Sequence, residues 1–404
     1  MQNISGCERR HHIMIYLDNA ATSWPKPESV YRAMDEFLRA GGGNPGRGGH
    51  TMALAASRMI EDVRLLLTRL INSPDKDRVV FTFNCTDSLN IGLKGLLRPG
   101  DHVITSSIEH NSVVRPLSKL EKQGIRVTRL SPRSRSGFVS PGDIEQAITP
   151  ETRLLLMTHA SNVNGVIQPI EEYGSLSRRH GLIFMVDAAQ TAGRYPLDVQ
   201  ADNIDLLAFS GHKGPMGPPG IGVLYISDRV DLDSLREGGT GSQSELEEQP
   251  TTLPHKFECG TANTVGIAGL GAGLGFIFRE GMEQILAHEQ TLTNRLLEGL
   301  SQTTGLTLHG AGAPACQAPI VSFSVDDSSS GEVAAVLDQA FDIKVRAGLH
   351  CAPSAHKTMG TFPRGTLRLS PGYFNTEEEI DITLQSIEQI TRVSSPRQQY
   401  SGSR

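Results

Sequence analysis

Six short apolar runs, at residues 79–83, 102–105, 153–158, 182–186, 205–209 and 221–226, read as β-strands. Between most of them lie amphipathic stretches of helical length, such as 112–123 and 170–180. The alternation predicts an α/β fold: a large domain with a mostly parallel sheet flanked by helices on both faces.

After about Thr264 the pattern changes. Residues 265–279 and 282–303 read as two successive helices leading into a smaller unit. That unit is expected to be α+β, with strands near 320–325, 343–346 and 366–369 and helices at 331–341 and 376–391. The predicted boundaries are a large domain over 14–280, whose first residues pack with the small domain, and a small C-terminal domain over 281–393. The polar, aperiodic ends, 1–13 and 394–404, are expected to be disordered.

Composition narrows the function classes. A chain of 404 residues that is 38% hydrophobic supplies a substantial core. Its 38 basic and 44 acidic side chains give a formal charge of -6, leaving no excess to coat a phosphate backbone, so nucleic acid is not an expected partner. No run approaches the ~20 apolar residues of a membrane helix, and 1–12 lacks the apolar centre of a secretory leader, so a cytoplasmic location is expected. Cys7, Cys85, Cys259, Cys316 and Cys351 are scattered without a CxxC pair, which suggests thiols in a reducing compartment and no metal site.

The chemistry-bearing residues cluster where predicted strands end. Ser210-Gly211-His212-Lys213-Gly214-Pro215 follows an apolar strand, and a lysine among small residues there suits an aldehyde ligand that bonds its amine. Alone, such a lysine reads more simply as a solvated surface residue. Asp187, closing another strand, suits a pyridinium nitrogen, or else a helix cap. Asn84-Cys85-Thr86 opens a helix whose amides, with the Thr86 hydroxyl, suit a phosphate dianion. Glu109-His110-Asn111 offers an imidazole to stack on a ring, and His159 to Gly165 offers amides including Asn162, though it reads equally well as a turn. Every bland reading would have to hold at once for the convergence to mean nothing.

The order of these segments, with Leu17-Asp18-Asn19-Ala20-Ala21-Thr22 near the start, resembles the class V aminotransferase family of fold type I pyridoxal-phosphate enzymes. The likeness runs from about Ile15 to Ile390. Within that family, Arg346-Ala347-Gly348-Leu349-His350-Cys351-Ala352 is similar to the cysteine loop of group II cysteine desulfurases and their selenocysteine lyase relatives. The resemblance implies pyridoxal 5'-phosphate as cofactor, Lys213 bonded to it, Asp187 on the ring nitrogen and His110 stacked on the ring. It implies Gln190 and Asn162 on the phenolic oxygen, with Thr86, Ser210 and His212 on the phosphate; Cys85 adjoins that loop. Thr261 is implied to reach the phosphate of the other subunit, hence a homodimer. Arg368 is implied to bind the substrate carboxylate, a task for a bidentate guanidinium, with Asn162 and His350 beside it. Cys351 is implied to take sulfur from L-cysteine or L-selenocysteine as a persulfide and pass it to an acceptor protein, iron-sulfur cluster assembly being one destination.

Without the resemblance, Cys351 reads as a small buried hydrophobe. Its neighbours Gly348, His350, Pro353 and His356 point to a loop, where Arg346 or a histidine would favour the thiolate. Leu349 stands where group II enzymes commonly carry a second histidine, and 352–365 matches no familiar segment closely. A lyase or aminotransferase that bypasses Cys351, and a non-catalytic cofactor-binding scaffold, remain open at this point.

Overall fold

The computed structural model describes residues 14–46, 49–132, 138–241, 245–310 and 316–394. Of the ends expected to be disordered, 1–13 and 395–404 lie outside the described residues, whereas Ser394 closes the final helix. Cys7 also lies outside them.

Thirteen strands follow one another along the described chain. They are β1 (Ile15–Tyr16), β2 (Val79–Thr82), β3 (His102–Ser106), β4 (Arg126–Leu130), β5 (Thr152–Thr158), β6 (Ile183–Asp187), β7 (Leu206–Ser210), β8 (Gly222–Ile226), β9 (Leu306–His309), β10 (Val321–Val325), β11 (Ile343–Lys344), β12 (Arg346–Gly348) and β13 (Thr366–Leu369). Seven of them form the main sheet in the order β2-β8-β7-β6-β5-β3-β4. Neighbours from β7 to β4 are parallel, and β8 alone runs against both of its neighbours.

Both faces of this sheet are covered, which explains why its strands, the edge strand β4 excepted, are apolar on both faces instead of alternating. Ile104, Leu155, Met157, Phe184, Val186 and Phe209 pack into the core on one face. Val103, Leu154, Leu156, Met185 and Ala208 fill the core on the other, as the two-residue period of a strand requires. Truncating one of these fully buried side chains to Ala costs about 2–5 kcal/mol.

The remaining strands belong to the C-terminal region and the N-terminal segment. β12-β13-β10-β9 form an antiparallel sheet, while β1 pairs in parallel with β11. Ile15 and Leu17 share a core with Leu292, Phe323, Ile343 and Leu367. The single strand expected over 343–346 is divided: residues 343–344 pair with the N-terminal segment and 346–348 with β13. Two edge strands, β4 and β9, escape the sequence reading because their half-exposed runs, RVTRL and LTLH, carry too little continuous apolar character.

Helices Thr264–Glu280 and Met282–Gln302 are separated by Gly281 at φ +89. The second reaches back to the main sheet through a buried ion pair of Glu289 with Arg194, which follows β6. Among the described residues no helix is long and apolar enough to cross a membrane.

Candidate active site

Because β2, β3, β5, β6 and β7 point the same way, the loops after them meet at one edge of the sheet, the usual ligand position of open α/β folds. They enclose a cavity of about 320 Å³. Thr86, Cys85, His110, Asn162, Asp187, Gln190, Ser210, His212, Lys213, His350 and Arg368 all line it. Two expected residues do not: Thr261 and Cys351.

Asp187 closes β6, and Lys213 follows three residues after the end of its neighbour β7. Burial lowers the Lys213 pKa from its usual value, opposed by the charge of Asp187. Asp187 is almost wholly buried, and its Oδ1 accepts from the Ala189 amide at 3.0 Å and from the Cys85 thiol at 3.3 Å. Burial and the Asp187 charge push the Cys85 thiol well up, so it remains a protonated donor.

The helix Cys85–Leu96 starts beside this pair. Asn84 caps it by accepting from the Asp87 amide, and Ser210 Oγ accepts from the Cys85 amide at 3.0 Å. Thr86 is exposed on the first turn. His212 carries a buried Nδ1 without a hydrogen-bond partner, and burial, with Lys213 and Lys26 nearby, holds its pKa down at about 4. An open helix start with an adjacent hydroxyl and an unpartnered imidazole nitrogen is a fitting receptor for a phosphate.

His110 caps the helix Asn111–Glu121. Its Nδ1 accepts from the Ser112 amide at 3.0 Å, and burial lowers its pKa to about 4, leaving a neutral ring. Asn162 Nδ2 donates to the His350 carbonyl at 2.7 Å, and Gln190 Nε2 to the Ala20 carbonyl at 3.1 Å. Both amides thus hold neighbouring loops to the cavity; Gln190 Oε1 is buried and unpartnered.

Arg368 is 1% exposed. It donates to Asp18 Oδ1 at 2.7 Å and to the Asn162 carbonyl at 2.8 Å, while its Nε is buried without a partner. A guanidinium has five donors, so these bonds leave capacity for an anion in the cavity.

The 348–351 loop stands at the rim. Gly348, His350 and Cys351 have positive φ, and Cys351 is exposed, with Arg346 Nη2 3.8 Å from its sulfur. The Cys351 carbonyl accepts from the Asn111 amide at 2.8 Å, tying the loop to the turn that carries His110. Thr261 is exposed and lines a separate depression with Phe83 and Arg236.

Sequence reasoning passed over two participants. Glu109 is completely buried, accepts from Ser106 Oγ at 2.6 Å and the Thr158 amide at 3.0 Å, and has its pKa raised by burial to about 8. Lys26 donates to the His212 carbonyl at 2.8 Å behind Lys213, and burial lowers its pKa to about 7. Adjacency to His110 was a signal for the first; nothing local distinguished the second.

The family profile for aminotransferase class-V matches residues 15–383. The chain belongs to that family. A probable cysteine desulfurase of Methanothermobacter thermautotrophicus is 38% identical over 93% of this chain and 94% of its own length. A cysteine desulfurase of Salmonella agona is 33% identical over 94% of each. Among solved structures, the apo cysteine desulfurase of Thermococcus onnurineus NA1 superposes with a TM-score of 0.85 at 35% identity, covering 94% of this chain and 95% of that one. The S-sulfonic acid form of the Escherichia coli cysteine desulfurase CsdA gives 0.84 at 29%, with the same coverage. This class-V member therefore shares its fold type I architecture with cysteine desulfurases.

Proposed function

We propose that this protein is a cysteine desulfurase that converts L-cysteine to L-alanine and leaves a persulfide on Cys351. The observation that carries the reading is the meeting of Lys213, Asp187 and Arg368 in one cavity with Cys351 at its rim. Relatives of both kinds, by sequence and by structure, bear that activity in their names.

The site chemistry fits pyridoxal 5'-phosphate. Lys213 would bond its aldehyde, Asp187 its ring nitrogen and His110 its face, with Thr86, Ser210 and His212 at the phosphate. Bound there, the cofactor supplies an electron sink for carbanionic character at the substrate's α-carbon. Arg368 orients the substrate by its carboxylate, using donors that Asp18 and Asn162 leave over. The Lys213 amine, disfavoured as an ammonium by burial, removes the α-proton. Cys351 Sγ attacks the substrate sulfur: the sulfur-sulfur bond forms as the carbon-sulfur bond breaks, and its electron pair stays on carbon, which is then protonated as alanine departs.

Further proposals follow from the family resemblance: a homodimer in which Thr261 serves the neighbouring site, a cytoplasmic location, a sulfur-acceptor protein, and a division into domains over 14–280 and 281–393. A second reading is favoured by the position of Cys351 outside the cavity lining, namely a lyase that releases sulfur without it. Cys351→Ala decides: retained visible cofactor absorbance with loss of alanine formation is expected, while unchanged alanine output would refute the role.

A further inference from the structure

Three of the four residues from 348 to 351 lie in the left-handed region: Gly348 at φ +100, His350 at +48 and Cys351 at +57. Two consecutive side-chain-bearing residues in that region cost free energy and persist only where surrounding contacts over-determine them. Backbone contacts supply part of the restraint, since Ala352 N donates to the Leu349 carbonyl at 2.8 Å and Asn162 holds the His350 carbonyl. The rest comes from a buried side-chain relay that the proposed chemistry does not use.

His350 and His356 are both buried, with His350 Nδ1 3.3 Å from His356 Nε2. His350 Nε2 faces the Arg346 carbonyl at 3.3 Å, and His356 Nδ1 faces Thr361 Oγ1 at 2.7 Å. A carbonyl only accepts, so His350 Nε2 carries the proton. Burial keeps both rings neutral, pushing their pKa values down to about 3 and about 4. His350 Nδ1 is then bare and accepts, His356 Nε2 must donate to it, and His356 Nδ1 accepts from the Thr361 hydroxyl. The relay therefore has one direction: Thr361 to His356 to His350 to the Arg346 carbonyl.

We propose that His356, set by Thr361, is a positioning residue for sulfur transfer: it fixes the tautomer of His350 and thereby the turn that places Cys351 beside Arg346. This rests on the desulfurase reading, to which it adds two residues that never touch substrate. His350 lines the cavity while its backbone leads into Cys351, whereas His356 and Thr361 do not line it, so these two act on the thiol only through His350. Thr361 and its neighbour Phe362 also close onto the His356 carbonyl, at 2.9 and 3.2 Å from their amides. The segment after the helix Pro353–Met359 is thus latched to the backbone of His356 as well as, through the Thr361 hydroxyl, to its imidazole.

The test uses the holoenzyme with selectively 15N-labelled histidine. In the wild type, His350 is expected as the Nε2-protonated tautomer. His356→Gln retains a donor and should preserve it; His356→Leu and the near-isosteric Thr361→Val should give mixed or Nδ1-protonated His350. In kinetics with cysteine, kcat is expected to fall about thirtyfold in His356→Leu, which loses two hydrogen bonds, and about fivefold in Thr361→Val, which loses one, at about 1 kcal/mol each, with KM little changed and His356→Gln restoring most of the loss. A wild-type His350 protonated on Nδ1 overturns the proposal, as does a folded Thr361→Val whose tautomer and kcat match the wild type. Should His356→Leu not fold, Thr361→Val and His356→Gln carry the test. Alanine formation by Cys351→Ala would instead overturn the desulfurase reading, leaving the tautomer result to stand separately.

Discussion

The cofactor cradle and the cysteine loop border one cavity and are built on contrary terms. Asp187 and Lys213 follow central strands whose neighbours are packed on both faces, and backbones there approach so closely that little room is left. A Cβ on Gly348 would meet nothing within 4 Å and the sulfur of Cys351 is exposed; hydrogen bonds hold the loop at unusual backbone angles. A cofactor needs an unvarying electrostatic seat, whereas a thiol that hands sulfur onward must be reachable from outside, and packing density divides the two tasks.

The sharpest break in this comparison is Lys213→Ala. Reductive trapping with borohydride should no longer attach cofactor to the peptide containing residue 213, and turnover should fall roughly 10²–10⁴-fold, the usual contribution of a positioned acid-base group. Label found in the wild type on a lysine outside that peptide would reassign the anchor.

One residue along, crowding itself is open to measurement. A Cβ on Gly214 would stand 2.2 Å from the Ala192 carbonyl oxygen. Gly214→Ala is therefore expected to cost about 3 kcal/mol in denaturant unfolding, by forced backbone displacement. An unaltered midpoint would mean the cradle is far looser than its distances imply.

Glu109 sharpens the electrostatic half of the comparison. Its folded pKa, about 8, lies above the ordinary 4.5, so the native state holds this proton more tightly than the unfolded chain does. Its contribution to stability is full below 4.5 and is lost as pH rises from there through 8. Glu109→Gln stays neutral and removes that slope, so the melting temperature of the variant relative to wild type should climb by about 2 °C or more between pH 5 and pH 8. A constant difference across that range would place an ionised carboxylate in the native core.

The smallest effect is expected in the loop. At Gly348 a Cβ meets nothing within 4 Å, so Gly348→Ala encounters only the backbone penalty of φ +100, about 1–2 kcal/mol. Thermal unfolding checks it; a loss as large as that of Gly214→Ala would erase the distinction between the two regions.

Much of this site is visible in the chain. Residues 205–213 announce themselves because a buried strand must be apolar and must then end in turn residues, and Asp187 and His110 follow the same rule. Glu109 was hidden because a carboxylate beside a histidine looks like any surface pair until burial, outweighing its hydrogen bonds from Ser106 and Thr158, raises its pKa. Lys26, 187 residues before Lys213, could be linked to the cradle only by the hydrogen bond it makes. Asn162 and Gln190 line the cavity as the motifs predict, but their bonds to the carbonyls of His350 and Ala20 join loops distant in sequence and could not be read from the chain.

The amino-acid sequence by itself determined the alternation of strand and helix, the segments that could hold an aldehyde cofactor and the thiol that could take sulfur, since hydrophobic period and residue chemistry are local properties. Tertiary structure alone decided that one antiparallel strand, β8, lies inside the main sheet between β2 and β7, that residues 343–344 and 346–348 join different sheets, and that the hydrogen bonds through Thr361, His356 and His350 run in one direction. Those outcomes depend on which groups are buried against which, and burial, by removing water, turns a side chain's possible states into one.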